Sequence, residues 1–175
     1  MPRASYAVVS VLLTLLIAYA AMPASADINL LENPGFETGT LDPWLGKNAN
    51  IYIGGHTSAY AAYIWRDFLE PGDAWILREF LRPSCAEYLE FWYISTATPG
   101  DGEAGIYYLD GTERWWYLAG YKPEWTLVHL DLDTSKLVRG VEVGTYPSEG
   151  SSYGDILVDD FDLEACAAPP VAVPV

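Results

Sequence analysis

An acidic segment near the end of the chain places a carboxylate where a metal ion could be bound. In the predicted strand 156–164, Leu157, Asp159 and Phe161 alternate and share one face with Leu163. That face is apolar, so we expect Asp159 to be buried, and a buried carboxylate needs a partner. Lysine and arginine are scarce in this chain, whereas Ca²⁺ binds carboxylate and carbonyl oxygens. The pattern indicates calcium; the alternative is a carboxylate that only accepts backbone N–H hydrogen bonds.

Aromatic residues form a second candidate site. In a strand, adjacent side chains point to opposite faces, so Trp115 and Trp116 lie on opposite sides of a sheet. Leu118 shares a face with Trp116, which places Trp116 in the core. Trp115 and Tyr117 are therefore predicted to form an aromatic strip on the outer side.

Two further sets extend this aromatic surface. Tyr107 or Tyr108 lies across a predicted hairpin from Trp115. Glu90 and Trp92 alternate with apolar residues and are predicted to face away from the core. A planar ring fits the apolar C–H face of a sugar, and a carboxylate accepts hydroxyl hydrogens. The pattern favours carbohydrate binding; the alternatives are rings covered by loops and rings buried against another copy of the protein.

The sequence contains no motif that marks a catalytic centre. It lacks a G-x-S-x-G elbow and an H-E-x-x-H helix. Neither of its two histidines, His56 and His129, stands beside a serine or cysteine in a nucleophile context. A glycosidase needs two opposed carboxylates, and no segment marks such a pair. We therefore expect a protein without enzymatic activity.

The first 26 residues are typical of a secretory signal peptide. Arg3 precedes an apolar run over 7–21, and the small residues Ala24-Ser25-Ala26 follow. We predict cleavage after Ala26 and a secreted, extracellular protein. No second apolar stretch is long enough to cross a bilayer, so we expect no stable membrane insertion after cleavage.

The charge of the chain limits the kinds of molecule that it can bind. The chain has 24 acidic and 9 basic residues and a net charge of −15. Such a surface repels phosphate backbones, which argues against nucleic acid, but suits cations and neutral sugars.

Cys85 and Cys166 are expected to form a disulfide rather than to remain free buried thiols. The predicted mature chain lacks glutamine and methionine, which indicates a hot habitat or chance in a short chain.

Short runs rich in β-branched and aromatic residues, separated by Gly, Pro, Asn and Asp, predict an all-β fold. The predicted strands are 28–32, 48–53, 59–66, 74–81, 87–95, 104–109, 115–120, 125–132, 138–145 and 156–164. About ten strands at this spacing indicate one antiparallel sandwich or barrel. We assign this domain to residues 27–166, and a Pro-rich tail or arm to 167–175.

Four stretches resemble one protein family in their order. The mature chain opens with NLLENPGFETGTLDPW and continues with GGHTSAYAAYIW. EWTLVHLDLDTSKLVRGVEVGT follows, and GDILVDDFDLEA closes the domain. This order resembles the secreted carbohydrate-binding modules that have a galactose-binding-like jelly-roll fold. The resemblance spans residues 28–164, with departures at Pro34 and at the turn 56–59.

The resemblance implies both a fold and a set of site residues. It implies an antiparallel jelly-roll β-sandwich that binds a polysaccharide or surface glycan through its exposed rings. Such modules often hold one structural calcium between the opening Phe-Glu segment and the closing Asp-Asp strand. Carried over, the side-chain ligands are Glu37 and Asp159, with Asp160 in reserve if the register is shifted by one. Carbonyl groups near Asn29 and Ser58 would complete the shell.

A second function remains open beside carbohydrate binding. A secreted sandwich with exposed aromatics and acidic loops could be a self-assembling subunit of an extracellular filament or tubule. The tail Pro169–Val175, or the mature N-terminus near Asp27, would then be donated as a strand to another copy, and calcium would bridge acidic loops. In architecture the chain also resembles the calcium-dependent extracellular tubule proteins of hyperthermophilic archaea.

Overall fold

Two five-stranded antiparallel sheets form a β-sandwich. A computed structural model describes residues 28–66, 72–95, 102–118, 120–146 and 154–167. The strands are β1 (Leu45–Lys47), β2 (Ala49–Ile53), β3 (Tyr60–Ile64), β4 (Ala74–Ser84), β5 (Ala86–Ser95), β6 (Gly102–Tyr108), β7 (Glu113–Tyr117), β8 (Lys122–Asp131), β9 (Val138–Thr145) and β10 (Ile156–Ala165). The predicted signal peptide and the tail residues 168–175 lie outside the described residues.

The strand order shows how the chain moves between the two sheets. One sheet runs β1-β4-β9-β6-β7 and the other runs β2-β3-β10-β5-β8. Several consecutive strands, including β4 and β5, lie in opposite sheets, so their connections cross from one layer to the other. The predicted all-β jelly-roll sandwich is confirmed. Within the described ranges there is no helix of the length and hydropathy that a membrane span requires.

The hydrophobic core lies between the sheets. Ile76 of β4 and Val141 of β9 point inward from one sheet, and Leu89 and Phe91 of β5 point inward from the other; all four are fully buried. Trp116 packs against this core, as the alternation in its strand predicts. Burying apolar surface at ~25 cal/mol per Å² is the main favourable contribution to a sandwich of this kind.

Near the start of the described chain, the observed strands differ from the predicted ones. Residues 28–32 form only an isolated bridge, between Asn29 and Glu164. The Asn29 side chain accepts hydrogen bonds from the backbone N–H groups of Leu31 and Leu163, at 3.0 and 3.1 Å. Two backbone hydrogen bonds join the same segments, from the Leu30 N–H to the Leu163 carbonyl at 2.9 Å and from the Ala165 N–H to the Ile28 carbonyl at 3.0 Å. The short strand β1 is an additional element that the sequence did not indicate.

A β-bulge in β10 changes which residues of that strand face the core. The pairing with β5 shifts register between Asp159 and Asp162, and Asp160 has a positive φ of 49°. Val158 and Phe161 consequently both face the core. The expectation that Leu157 shares the core face with Phe161 was wrong, because simple alternation ignores the extra residue of a bulge.

The predicted disulfide between Cys85 and Cys166 is confirmed. Its Cα atoms are 5.4 Å apart and 81 positions apart in sequence. It links the turn between β4 and β5 to the end of β10. The cross-link therefore ties both sheets to the last strand.

We predict that replacing both cysteines by alanine lowers the free energy of unfolding by about 3–4 kcal/mol, because the cross-link restricts a long loop in the unfolded chain. Urea denaturation of the two proteins measures the difference. A reductant should destabilise the wild type by a similar amount and leave the double variant unchanged. Equal midpoints for the oxidised wild type and the variant would contradict the prediction.

Candidate ligand-binding and metal-binding sites

The structure divides the predicted ligand-binding residues between two outer surfaces. Glu90 and Trp92 lie on the outer side of sheet β2-β3-β10-β5-β8, which we call the β5 face. Tyr107, Trp115 and Tyr117 lie on the outer side of the other sheet, which we call the β6 face. The core separates these surfaces, so the two sets do not form one site.

The β6 face carries a partly covered indole ring. Trp115 lies over Gly105, where a Cβ would come within 2.5 Å of a ring atom. Glycine is needed at that position because any side chain would displace the ring. Tyr107 and Tyr146 contact Trp115 edge-on, with centroids at 5.8 and 5.7 Å. Tyr117 is 77% exposed, and it is the most accessible ring of the three that were predicted here.

Beside Trp115, a buried glutamate is held by two phenols. Glu142 is only 7% exposed. The Tyr107 hydroxyl donates to Glu142 Oε2 at 2.5 Å, and the Tyr146 hydroxyl donates to Oε1. Burial, followed by these hydrogen bonds to the carboxylate, raises the pKa of both phenols. The polar atoms of Tyr107 and Glu142 thus bind each other.

The β5 face carries a row of apolar and aromatic side chains across its strands. Leu157 of β10 lies opposite Tyr63 of β3 on one side and Ile94 of β5 on the other. The ring of Trp65 stacks on the ring of Tyr63, with their centroids 5.4 Å apart. The ring of Tyr52, in β2, lies with its centroid 6.3 Å from that of Tyr63. The row therefore extends from the edge strand β2 into the middle of the sheet.

The same row continues to the opposite edge strand. Trp92 of β5 pairs with Leu127 of β8, which is 45% exposed. The ring of His56 stacks on Trp92 at 4.0 Å and approaches Trp125 at 5.6 Å. Side chains from all five strands thus contribute to one surface. Four gaps of ~4.8 Å between strands give this surface a length of about 19 Å.

A histidine and two carboxylates lie beside the row. His129 Nδ1 is 2.6 Å from Glu90 Oε1, and His129 Nε2 is 3.2 Å from Asp131 Oδ1. The hydrogen bond with Glu90 raises the pKa of His129 above 6.5, desolvation opposes this rise, and Asp131 adds to it. Glu90 keeps one third of its side-chain surface exposed. It can therefore still accept a hydrogen bond from a ligand.

The three predicted metal ligands come together around Gly35. The position that a Cβ of Gly35 would occupy lies 2.8 Å from Glu37 Oε1, 3.3 Å from Asp160 Oδ1 and 3.6 Å from Asp159 Oδ1. Only a residue without a side chain leaves room for these oxygens. The loop that carries Gly35 is attached to the bulge, since the N–H of Phe161 donates to the Pro34 carbonyl at 3.0 Å.

Asp159 is fully buried, as predicted. Its two oxygens accept hydrogen bonds from the backbone N–H groups of His56 and Asp160, at 2.7 and 2.8 Å. Burial nevertheless raises the pKa of Asp159 to about 6, and the charges of Asp160 and Glu37 add to the rise. Asp160 is bound by His56 Nδ1 and by the Thr57 hydroxyl, each at 2.8 Å.

These residues offer the oxygen donors that calcium requires, but not a fully assembled side-chain shell. Across the described ranges, no group of three or more His, Cys, Asp or Glu side chains is already arranged to hold a metal. A calcium ion here would be held by Glu37 and Asp159 together with backbone carbonyls. The donor chemistry fits calcium, because the converging oxygens carry negative charge and one carboxylate is buried.

Comparison with known proteins identifies the fold. No protein-family model and no curated protein matches the sequence. A family 61 carbohydrate-binding module, solved with β-1,4-galactotriose, is 23% identical; the alignment covers 79% of this chain and 99% of the module, with a TM-score of 0.57. The chain has the fold of carbohydrate-binding modules. The resemblance inferred from the four sequence stretches is confirmed at this level.

Two other solved structures show the range of this fold. A family 11 module from Clostridium thermocellum, in complex with a β-1,3-1,4-mixed-linked tetrasaccharide, is 9% identical over 83% of this chain and 100% of the module, with a TM-score of 0.58. The K2 cleaved adhesin domain of Lys-gingipain is 16% identical over 79% of this chain and 99% of that domain, with a TM-score of 0.53. At these identities the likeness establishes the fold and not the ligand.

Sequence reasoning found Glu90 and Trp92 but missed the rest of the row on the β5 face. Tyr63, Ile94 and Leu157 belong to three strands that are distant in sequence. Each strand shows alternation, so each residue could be assigned to one of two faces. The pairing of the strands, which brings the three side chains together, has no local signal.

We predict that Glu90→Gln lowers the pKa of His129 toward 6.5, the value of an exposed histidine. The glutamate favours the protonated ring, so its contribution to stability is present below pH ~6.5 and is lost as the pH rises through the raised pKa. An NMR titration of the His129 ring protons measures the change. The exposed Glu79→Gln is the control; an unchanged pKa in Glu90→Gln would refute the assignment.

Proposed function

We propose that this protein is a secreted, non-catalytic module that binds a polysaccharide or surface glycan on the β5 face and is stabilised by calcium. The observation that carries the proposal is the row of apolar and aromatic side chains that crosses all five strands of one sheet. The rings of Tyr63 and Trp92 are each stacked on a neighbour, Trp65 and His56, and the apolar surface that they leave on the outside would meet the C–H faces of sugar rings. The length of about 19 Å suits an extended oligosaccharide rather than a single sugar.

Charge supports a neutral ligand. The net charge of −15 would repel a uronic acid or a sulfated chain. Glu90 and Asp155 stand beside the row, and Asp155 accepts a hydrogen bond from the Tyr63 hydroxyl at 2.8 Å. These carboxylates would select a sugar by accepting hydrogen bonds from its hydroxyl groups, while the rings supply most of the affinity. No bond needs to be broken for this function.

The fold neighbours are in agreement with this proposal. The family 61 and family 11 modules were solved with neutral oligosaccharides, and both are named as carbohydrate-binding modules rather than as enzymes. The disulfide between Cys85 and Cys166 suits an oxidising compartment, in keeping with the predicted signal peptide. β-1,4-Galactan and β-1,3-1,4-glucan are therefore the first ligands to test.

Calcium would be held by Glu37 and Asp159, with Asp160 beside them. The ion would compensate the buried charge of Asp159, for which neither lysine nor arginine is at hand in the surrounding contacts. It would also join the loop at Gly35 to the bulge of β10. The proposed role is structural and involves no chemistry on the ligand.

We predict that Trp92→Ala weakens the binding of the recognised glycan roughly 30-fold, because a central aromatic anchor contributes about 2 kcal/mol. Trp115→Ala, on the β6 face, is the matched control and should change the Kd less than two-fold, within the ~0.5 kcal/mol expected away from the site. Isothermal titration calorimetry with soluble galactan and mixed-linked glucan fragments measures both. If Trp115→Ala weakens binding and Trp92→Ala does not, the site lies on the β6 face.

We predict that calcium raises the Tm of the protein spanning residues 27–175 by roughly 5–10 °C at a concentration about 100-fold above its Kd. Asp159→Asn should abolish this rise.

Scanning calorimetry, with light scattering on the same samples, tests the calcium prediction. The exposed Asp133→Asn serves as the control and should keep the full response. An identical calcium response in Asp159→Asn would exclude this site. Growth of the wild type into large particles on calcium addition would replace the binding-module proposal with the alternative of a self-assembling filament or tubule subunit.

A further inference from the structure

An apolar groove, which we call the β4 groove, lies at one end of the sandwich, away from the β5 face. It has a volume of about 380 Å³, and its apolar lining includes Phe80, Leu81, Pro83 and Leu109. Leu81 is fully exposed and Leu109 is 57% exposed. Exposed leucines that lie next to one another in a groove indicate a surface that another segment covers.

A bulge in β4 creates this groove. Glu79 pairs with Gly140 of β9, and Ser84 pairs with Val138, so residues 80–83 have a single residue of β9 opposite them. These residues therefore leave the ladder, which turns Leu81 to the outside. Pro83 prevents regular pairing at its own position because it has no N–H.

The C-terminal segment leaves the sandwich close to this bulge. Cys166 is joined to Cys85, which directly follows β4. Its N–H also donates to the Cys85 carbonyl at 3.1 Å, and the N–H of Ala167 donates to Glu87 Oε1 at 3.1 Å. Cys166 is thus held beside Cys85, which is four positions from Leu81 in sequence.

The chain that follows has the composition and length to fill the groove. Residues 168–175 read APPVAVPV and contain no charged side chain. An extended Pro-rich segment rises ~3.1 Å per residue, so eight residues reach about 25 Å. The four positions from Cys85 back to Leu81 span at most ~14 Å. Pro-rich segments bind apolar grooves at low entropic cost because they are already extended.

We propose that residues 168–175 dock into the β4 groove of the same chain and cover Leu81, Phe80 and Leu109. The disulfide holds the start of the segment next to the groove, so docking is intramolecular and has a high effective concentration. Glu79 and Arg139 also line the groove, and both are exposed. Because the segment carries no charged side chain, we expect its docking to change little with salt.

A double-mutant cycle on the protein spanning residues 27–175 tests this docking. One change removes residues 168–175 and the other is Leu81→Asp, at a position so exposed that the fold tolerates it. Truncation should lower the Tm of the wild type by about 2–4 °C and that of Leu81→Asp by much less, because both changes remove the same contact. Ile53→Asp, at an 81% exposed position of β2, is the control and should leave the effect of truncation intact.

Two further measurements distinguish the segment from another occupant. Hydrogen exchange should be faster over 80–84 in the truncated protein than in the longer one. The effect of truncation should be the same at about 0.05 and 0.5 M salt, with the protein monomeric by light scattering. Equal losses of Tm in wild type and Leu81→Asp overturn the proposal. The proposal is also overturned if the effects of the two changes on Tm are non-additive only under conditions in which the protein associates. In that case a second copy of the protein covers the groove.

Discussion

The bulge at Asp159 and Asp160 joins three segments that are far apart in the chain. Asp159 accepts a hydrogen bond from the backbone of His56, while the N–H of Phe161 donates to the carbonyl of Pro34. The opening loop, the turn before β3 and the central strand β10 therefore meet at one buried carboxylate. A regular strand could not place both Val158 and Phe161 in the core, because residues three positions apart point to opposite faces. The N-terminal closure of the sandwich depends on this irregularity.

The same bulge connects the stability of the fold to the proposed binding face. Asp159 lies opposite Trp92 in the pairing of β10 with β5. His56 binds Asp159 through its backbone and Asp160 through Nδ1, and its ring stacks on Trp92 at 4.0 Å. Any ion or proton that changes the charge of this carboxylate pair therefore acts on the residue that orients a ring of the β5 face. Metal binding and glycan binding would then be coupled through His56, with the same coupling energy in both directions.

The sequence predicted the structural features that depend on the alternation within one strand or on the pairing of the two cysteines. It predicted the all-β fold, the disulfide, the inward position of Trp116 and the burial of Asp159. It did not predict the phase shift in β10, because a bulge adds one residue without a distinct local pattern. Nor could it show that Trp92 and Trp115 lie on opposite surfaces. Alternation tells which residues of a strand face out, but the sheet to which each strand belongs is set by pairing between distant segments.

The two outer faces carry similar aromatic content but differ in how their polar groups are satisfied. On the β6 face, Glu142 occupies the hydroxyls of Tyr107 and Tyr146, and the rings of both tyrosines abut Trp115 edge-on. That arrangement is closed on itself, since the hydroxyls of Tyr107 and Tyr146 already bind a buried carboxylate and are not offered to a ligand. On the β5 face, the Tyr63 hydroxyl binds Asp155 at the side of the row, and the stretch from Tyr63 through Leu157 to Ile94 consists of side-chain surfaces. A sugar could cover such a surface without breaking any hydrogen bond, which is why we propose that the β5 face, and not the β6 face, binds the glycan.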